Sequence, residues 1–278
     1  MSFIQELLRA VETRLLAVDS RILNRAVLTR ARWKEWIPFG RFHEGYYRGS
    51  HVWIKAFTNI APDTSHTFGE RLASDVMEWS QLKHPHVVRL HGWISYVSKE
   101  NPCPGLVPSW SDGGNIRSFL GGTHDFPSRW ALIRGIADGL HHLHLQEIVH
   151  GDIQPENIVL SRDGKPQLCD FGLLCIISET STPIVNPNSW RYSAPELRTT
   201  PDFFRNRESD VWAFGCTAME ILLNTPPYSG VEGTELFLPT GPPFADPTDG
   251  EILMPCLETL PHARTDMETV IQSLGRTP

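Results

Sequence analysis

Three side chains in the stretch Ile148–Gly172, IVHGDIQPENIVLSRDGKPQLCDFG, are of the types that hold Mg²⁺ and accept a proton: Asp152, Asn157 and Asp170. Hard cations favour carboxylate and carboxamide oxygens, and a carboxylate beside a hydroxyl can act as a general base. The three lie in two loops, separated by short apolar segments around Ile158–Leu160 and Gln167–Cys169. Between those segments, Arg162-Asp163-Gly164-Lys165 predicts a hairpin, because Asp-Gly flanked by apolar runs suits a left-handed turn. A hairpin would carry both loops to one edge, where the carboxylates converge on one ligand. The implied chemistry is the handling of a metal-chelated phosphate.

Such a site needs a body to hold it. A chain of 278 residues, 40% hydrophobic and 21% charged, has room for one large domain or two lobes and the composition of a soluble globular protein. It contains no run of about eighteen apolar residues, so no transmembrane segment is expected. The start, MSFIQELLRAVETRLL, carries Glu6 and lacks a small-residue cleavage site, which argues against a secretory signal. A net charge of −7 argues against a general nucleic-acid binder. Five cysteines, odd in number and without a CxxC pair, fit reduced thiols in an intracellular compartment, the cytoplasm first, better than zinc or a disulfide framework.

Periodicity divides the chain. Residues 3 to about 35 have apolar residues at helical spacing (Ile4, Leu7, Leu8, Val11, Leu15, Val18, Ile22, Leu23), interleaved with Arg9, Arg14, Arg21 and Arg25. This predicts an N-terminal helix that either packs on the main body or docks a partner or an anionic surface, with a boundary near Trp36. Residues 37–57 read as short strands punctuated by Gly40, Gly45 and Gly49, and residues 66–83 as a helix stopped by Pro85. VVRLHGWISYV predicts two more strands. The Pro- and Gly-rich connector NPCPGLVPSWSDGGN then separates two lobes. Helices are predicted over Trp130–Leu145, over Asp210–Leu223 (apolar almost all round, so central and buried) and over Asp266–Leu274, with a long surface loop over Gly230–Gly250.

From Ile37 to Leu274 the ordered motifs resemble the eukaryotic protein kinase family, of the serine/threonine or tyrosine-kinase-like group. The resemblance implies an α+β, two-lobed fold. Residues 1–36 would be a helical extension, and residues 37–278 a kinase-like domain with a small β-rich N-lobe (about 37–108) and a mainly helical C-lobe (about 109–278). It also implies ATP and Mg²⁺ as the bound species. Lys55 in VWIK is similar in position to the lysine that pairs with the α- and β-phosphates. HGDIQPEN resembles the catalytic loop, with Asp152 as base and Asn157 as a Mg²⁺ ligand, and DFG at Asp170–Gly172 resembles the metal-binding motif. Gly40, Gly45, Gln154 and Val159 complete the implied nucleotide site. APE at Ala194–Glu196, SDVWAFG at Ser209–Gly215 with Asp210 anchoring the catalytic loop, and PHAR at Pro261–Arg264 with Arg264 pairing to Glu196 complete the order.

Four departures bear on activity. GRFHEGYY places Phe42 at the middle glycine of the phosphate loop, where a Cβ hinders backbone approach, and Tyr47 where a small residue covers adenine. Trp53 stands at the alanine two residues before Lys55, on the same strand face, where its ring would fill the nucleotide cleft or stack on adenine. Asp75 stands where a glutamate pairs with Lys55, with Glu70 and Glu78 as substitutes on other faces. Gly151 replaces an arginine and Gln154 a lysine. Without that arginine, a phosphate on Ser178, Thr180, Ser181 or Thr182 lacks its usual partner.

The first function expected is therefore an ATP-dependent protein kinase that phosphorylates Ser/Thr, or Tyr, hydroxyls of a protein substrate in signalling. The alternatives are a pseudokinase scaffold plugged by Trp53, and a small-molecule phosphotransferase of the aminoglycoside or choline kinase type, which would use the same Asp152, Asn157 and Asp170.

Overall fold

The segment from Arg207 to Leu223 has almost no polar face, and it is the helix around which the second half of the chain is built. In the computed structural model every residue from Ser209 to Ile221 on it is buried. The model describes residues 33–37, 40–47, 49–57, 65–98, 101–111, 113–121, 129–173, 175, 189–199, 204–229 and 247–275. These residues fall into two compact units, one through Trp110 and the other from Ser111 on. The N-terminal helix expected over residues 3 to about 35 lies outside the described residues up to 32.

In the first unit, five strands form an antiparallel sheet: β1 (Trp33–Ile37), β2 (Gly40–Tyr47), β3 (Ser50–Phe57), β4 (Leu90–Ser98) and β5 (Asn101–Pro108), in spatial order β1-β2-β3-β5-β4. Among the described residues of this unit, the helix α1 (Ser65–Trp79) packs on β4 and buries Leu72, Val76 and Trp79. Val52, Ile54 and Val107 are its sheet core, and Tyr47 packs against them.

Three sequence expectations are corrected here. Trp33–Trp36, read as the end of a helix, belongs to β1: Trp33, Glu35 and Trp36 pair across to His43, Phe42 and Arg41, and tryptophan suits a strand. The connector is not irregular from its start, since Asn101–Pro108 is a strand. Its prolines hid it: Pro102 and Pro104 lie beyond Gly105 and Leu106, where pairing to β3 is confined, so one side of the strand needs no donors there. Gly250, placed in a surface loop, lies in a helix (Pro247–Leu253).

The second unit is mainly helical: α2 (Ile116–Leu120), α3 (Arg129–Leu145), α4 (Pro195–Thr199), α5 (Arg207–Leu223), α6 (Pro247–Leu253) and α7 (Met267–Leu274). The expected face of α3 is buried: Leu132, Ile133, Ile136, Leu140 and Leu143 are all within 1% of full burial. It packs on α5 and on α7, which buries Met267, Val270 and Leu274. At about 1.5–3 kcal/mol for each large apolar side chain taken from water, these faces decide how the helices are oriented. Asn206 starts α5 with a capping box through Ser209, and left-handed Asn224 ends it. Arg129 donates to the carbonyls of Ile221 and Leu222, satisfying the last turn.

The expected hairpin is present as β6 (Ile158–Leu160) and β7 (Pro166–Leu168), with Gly164 left-handed at φ +76°. The connector's second half adds to its edge: Gly113 N–H donates to Leu160 O at 3.1 Å, and Leu160 N–H donates to Gly114 O at 2.8 Å. A Cβ on Gly113 would lie 2.7 Å from Leu160 Cβ and 2.8 Å from Leu160 O, whereas one on Gly114 would meet only its own strained φ of +67°. Gly113→Ala is therefore expected to destabilise the protein by about 1–3 kcal/mol through overpacking against backbone, and Gly114→Ala by less, read as the difference in Tm. Equal losses would defeat the steric account.

Candidate active site

The β6–β7 hairpin sets the two loops side by side. Ile158 pairs with Leu168 and Val159 with Gln167, so the ends carrying Asn157 and Asp170 are neighbours. Cys169 N–H donates to Asn157 O at 3.0 Å, and Gly172 N–H to His150 O at 2.9 Å, which ties the Asp170–Gly172 turn to the loop before β6. Asp170 itself is left-handed, φ +61°, a conformation that aspartate tolerates better than most residues.

The loop carrying Asp152 is held from below by α5. Asp210, 1% exposed, accepts from His150 N–H and Gly151 N–H at 2.8 Å each and lies 3.0 Å from His144 Nε2. The expected anchor is in place. His150 Nδ1 accepts from Asp152 N–H at 3.2 Å, and burial lowers the imidazole to about 4, against the opposing pull of Asp210 and Asp170. His150 is thus a neutral strut.

Asn157 gives its Nδ2 hydrogens to Asp152 twice, to the backbone O at 2.8 Å and to Oδ2 at 2.7 Å. Burial raises the Asp152 carboxyl to about 6; the hydrogen bonds from Asn157 and Gln154 and the charge of Arg205 oppose the rise, and Asp170 adds to it. A carboxylate tuned upward in this way is a better proton acceptor near neutrality than an ordinary one. With Nδ2 spent on Asp152, Oδ1 of Asn157 is, like the Asp170 carboxylate, a hard oxygen donor of the kind Mg²⁺ takes.

Gln154 is 2% exposed and donates from Nε2 to Ser189 Oγ at 3.0 Å, while its Oε1 has no partner among the described residues. Its neighbour Glu156 pairs at 2.6 Å with Arg117, which also holds Glu220 at 2.6 Å and the Tyr192 hydroxyl at 2.6 Å. Tyr192 in turn donates to Glu220. This network braces the turn Pro155–Asn157 from α2 and α5.

In the first unit, Lys55 lies on β3, 9% exposed, opposite Phe42 on β2 and Leu106 on β5. Asp75 lies 3.6 Å from Arg71 one turn earlier on α1. The glycine-rich stretch departs from the expected loop. Gly40 to Tyr47 is continuous strand, with Gly40 paired to Ile37 and to Phe57, and Gly45 to Val52. Tyr47 packs into the sheet core, and its ring lies 5.5 Å from that of His91.

The half-buried Trp53 stacks on Trp110, ring centroids 4.1 Å apart. Trp110 stacks on His51 at 3.8 Å, and His51 on Tyr46 at 4.9 Å, so four rings form one pile on the sheet. Trp110 N–H also donates to His51 O at 3.3 Å. The sequence reading missed Trp110, which stood in a stretch read as a connector. It missed Ser189 and Arg205 as well, for which spacing gives no signal.

A model of the protein tyrosine and serine/threonine kinase family matches residues 36–274. Human mitogen-activated protein kinase kinase kinase 11 is 27% identical over 259 residues, 85% of this chain. Mitogen-activated protein kinase kinase kinase 3 of Arabidopsis thaliana is 30% identical over 73% of the chain, and dual specificity protein kinase zakA of Dictyostelium discoideum 30% over 68%. The match spans 29%, 33% and 26% of those relatives' own lengths, respectively.

Proposed function

The chain belongs to the protein tyrosine and serine/threonine kinase family, and from that premise we propose that it is an ATP-dependent protein kinase transferring the γ-phosphate to serine or threonine hydroxyls of a protein substrate. Tyrosine hydroxyls are the nearest alternative acceptor. The names of its relatives, mitogen-activated protein kinase kinase kinases among them, support a place in signalling. The absence of a described helix able to cross a membrane is compatible with the cytoplasmic setting proposed here.

The observation that carries the reading is the pair Asp152–Asn157. One carboxamide aims the carboxylate and keeps its own oxygen for a cation, and burial lifts the carboxylate toward the working pH of a base. In this proposal Asp152 takes the proton of the attacking hydroxyl. Asn157 and Asp170 hold Mg²⁺, Lys55 holds the α- and β-phosphates, and Gln154 gives a phosphate oxygen a neutral hydrogen bond. Val159 lines the adenine floor. Gly40 and Gly45 contribute only their missing side chains, since their backbone is paired in β2. Bound MgATP supplies the phosphoryl group and neutralises its charge as it moves. The test is transfer of radiolabelled γ-phosphate to a Ser/Thr peptide library; no transfer at millimolar MgATP would overturn the reading.

One observation favours a second reading, a scaffold without nucleotide. The Trp53 indole is already stacked on Trp110, a packing that could occupy the place of an adenine. On the kinase reading MgATP at a hundred times its Kd stabilises wild type by about 2.7 kcal/mol. On the scaffold reading wild type is unmoved and only Trp53→Ala responds. A thermal-shift titration of both proteins separates the two. We expect wild type to respond.

A further inference from the structure

Gly151 precedes the proposed base and is the one residue of this loop with no room for a side chain. Its backbone is left-handed, φ +77°, and a Cβ built on it would lie 2.6 Å from Cys175 Sγ and 3.1 Å from Arg205 Cδ. The peptide groups around it are gripped from two directions. On the N–H side, Asp210 takes the hydrogens of His150 and Gly151. On the carbonyl side, Arg205 Nε donates to Gly151 O at 2.9 Å across a sequence separation of 54 residues. The Gly151 carbonyl belongs to the peptide that continues into Asp152.

Both grips come from the start of α5. Arg205 stands immediately before the N-cap Asn206, and Asp210 lies in the first turns, where the Asn206–Ser209 box fixes the helix end. Arg205 is half-buried, and with Cys175 Sγ its Cδ closes off the space that a side chain at 151 would take. The arginine that the kinase resemblance implies at position 151 is thus absent there. A guanidinium arrives beside the same residue from a different part of the chain.

We propose that Arg205 is a positioning residue for Asp152: with Asp210 it clamps the two peptide groups that flank the Gly151 Cα, and so fixes the direction from which the Asp152 carboxylate meets the substrate hydroxyl. The inference rests on the kinase reading for its functional consequence, and on geometry alone for the clamp. A charge-assisted bond to a carbonyl is stronger than a neutral one and holds a left-handed glycine against the freedom it would otherwise have. Misplacing a reacting group by about 1 Å can cost about 100-fold in rate.

Three variants of the full chain separate positioning from general bracing. Arg205→Ala removes the donor. Arg205→Gln places a neutral Nε2 where the guanidinium Nε stood, and Arg205→Lys returns the charge without the planar fork. The expected result for Arg205→Ala is a kcat lowered by about 10–100-fold, with KM for MgATP and peptide nearly unchanged, and with kcat largely restored in Arg205→Gln. An unchanged kcat in Arg205→Ala, or a glutamine variant no better than alanine, overturns the proposal. Amide hydrogen exchange supplies a reading free of activity: in Arg205→Ala the peptide covering residues 150–152 should exchange faster while α3 and α7 keep their protection. Unchanged exchange at 150–152 overturns the clamp whatever the activity. Faster exchange in a chain that transfers no phosphate supports the clamp and counts against the kinase reading instead. If Arg205→Ala fails to fold, the glutamine and lysine variants decide between them.

Discussion

Asp152→Asn is expected to lower kcat by about 10²–10⁴-fold, the range a positioned general base contributes, with Tm unchanged or raised. Asparagine keeps an oxygen that can accept the Asn157 Nδ2 bond, so the loop held by Asp210 should keep its shape. The carboxylate's basicity is what disappears. The wild-type pH profile checks the same residue independently. Because the free-enzyme value of Asp152 is raised to about 6 by burial, kcat/KM should fall about tenfold per pH unit below that point. His150 cannot produce this limb, since burial holds it near 4 and it stays neutral across the window. A profile flat down to pH 5, or a limb that survives in Asp152→Asn, would remove Asp152 from the role.

The stability sign follows from the same shift. Asp152 binds its proton more tightly when folded, at about 6, than an unfolded carboxylate does at about 3.9. Its contribution to stability is therefore greatest below about pH 4 and declines as pH rises through about 6. Asparagine undergoes no such decline. The variant should gain on wild type between pH 4 and 6 and hold that gain at higher pH.

Much of this site could be read from spacing. Asp163-Gly164 between apolar triplets specified the hairpin, and its left-handed Gly164 is where a turn of that kind needs one. The apolar run of α5 specified a buried helix, whereas the reach of Asp210 to the loop above was implied by the kinase resemblance alone. What spacing could not show depends on contacts between residues distant in sequence. The fate of the Trp53 ring depends on Trp110, which lies in a stretch whose prolines concealed a strand. The kinase resemblance implied a glycine-rich loop at GRFHEGYY, yet Gly40 to Tyr47 pairs throughout with β3, whose β-branched Val52 and Ile54 stand opposite Gly45 and His43. The guanidinium beside Gly151 comes from a lone arginine before a cap, a position that has no signature of its own.

Arg264→Ala should be the most damaging single change to stability, because all five guanidinium donors are used in a buried place. Nη1 and Nη2 each bind a Glu196 oxygen at 2.7 Å, Nη1 binds Glu208 O at 2.9 Å, Nε binds Glu258 O at 2.8 Å and Nη2 binds Thr259 O at 3.2 Å. Both partners of the ion pair are only 8% exposed, and the guanidinium lies over the Trp212 ring at 5.1 Å. Removing one member leaves a buried carboxylate uncompensated, a loss of about 3–5 kcal/mol. In a unit of this size that is about 6–20 °C in Tm at roughly 2–4 °C per kcal/mol. The double variant Arg264→Met with Glu196→Leu tests which part of the loss is electrostatic. Apolar replacement of a buried pair can be close to neutral, so the carboxylate's share should return. The carbonyls of Glu208, Glu258 and Thr259 would still lack their donor, and each unpaired group costs about 1–3 kcal/mol if water cannot reach it. The double variant should therefore recover only in part. Full recovery would mean that those carbonyls are solvated once the arginine is gone. A loss under about 1 kcal/mol in Arg264→Ala would place the pair among surface ion pairs and remove it from the core that holds α4 against α5.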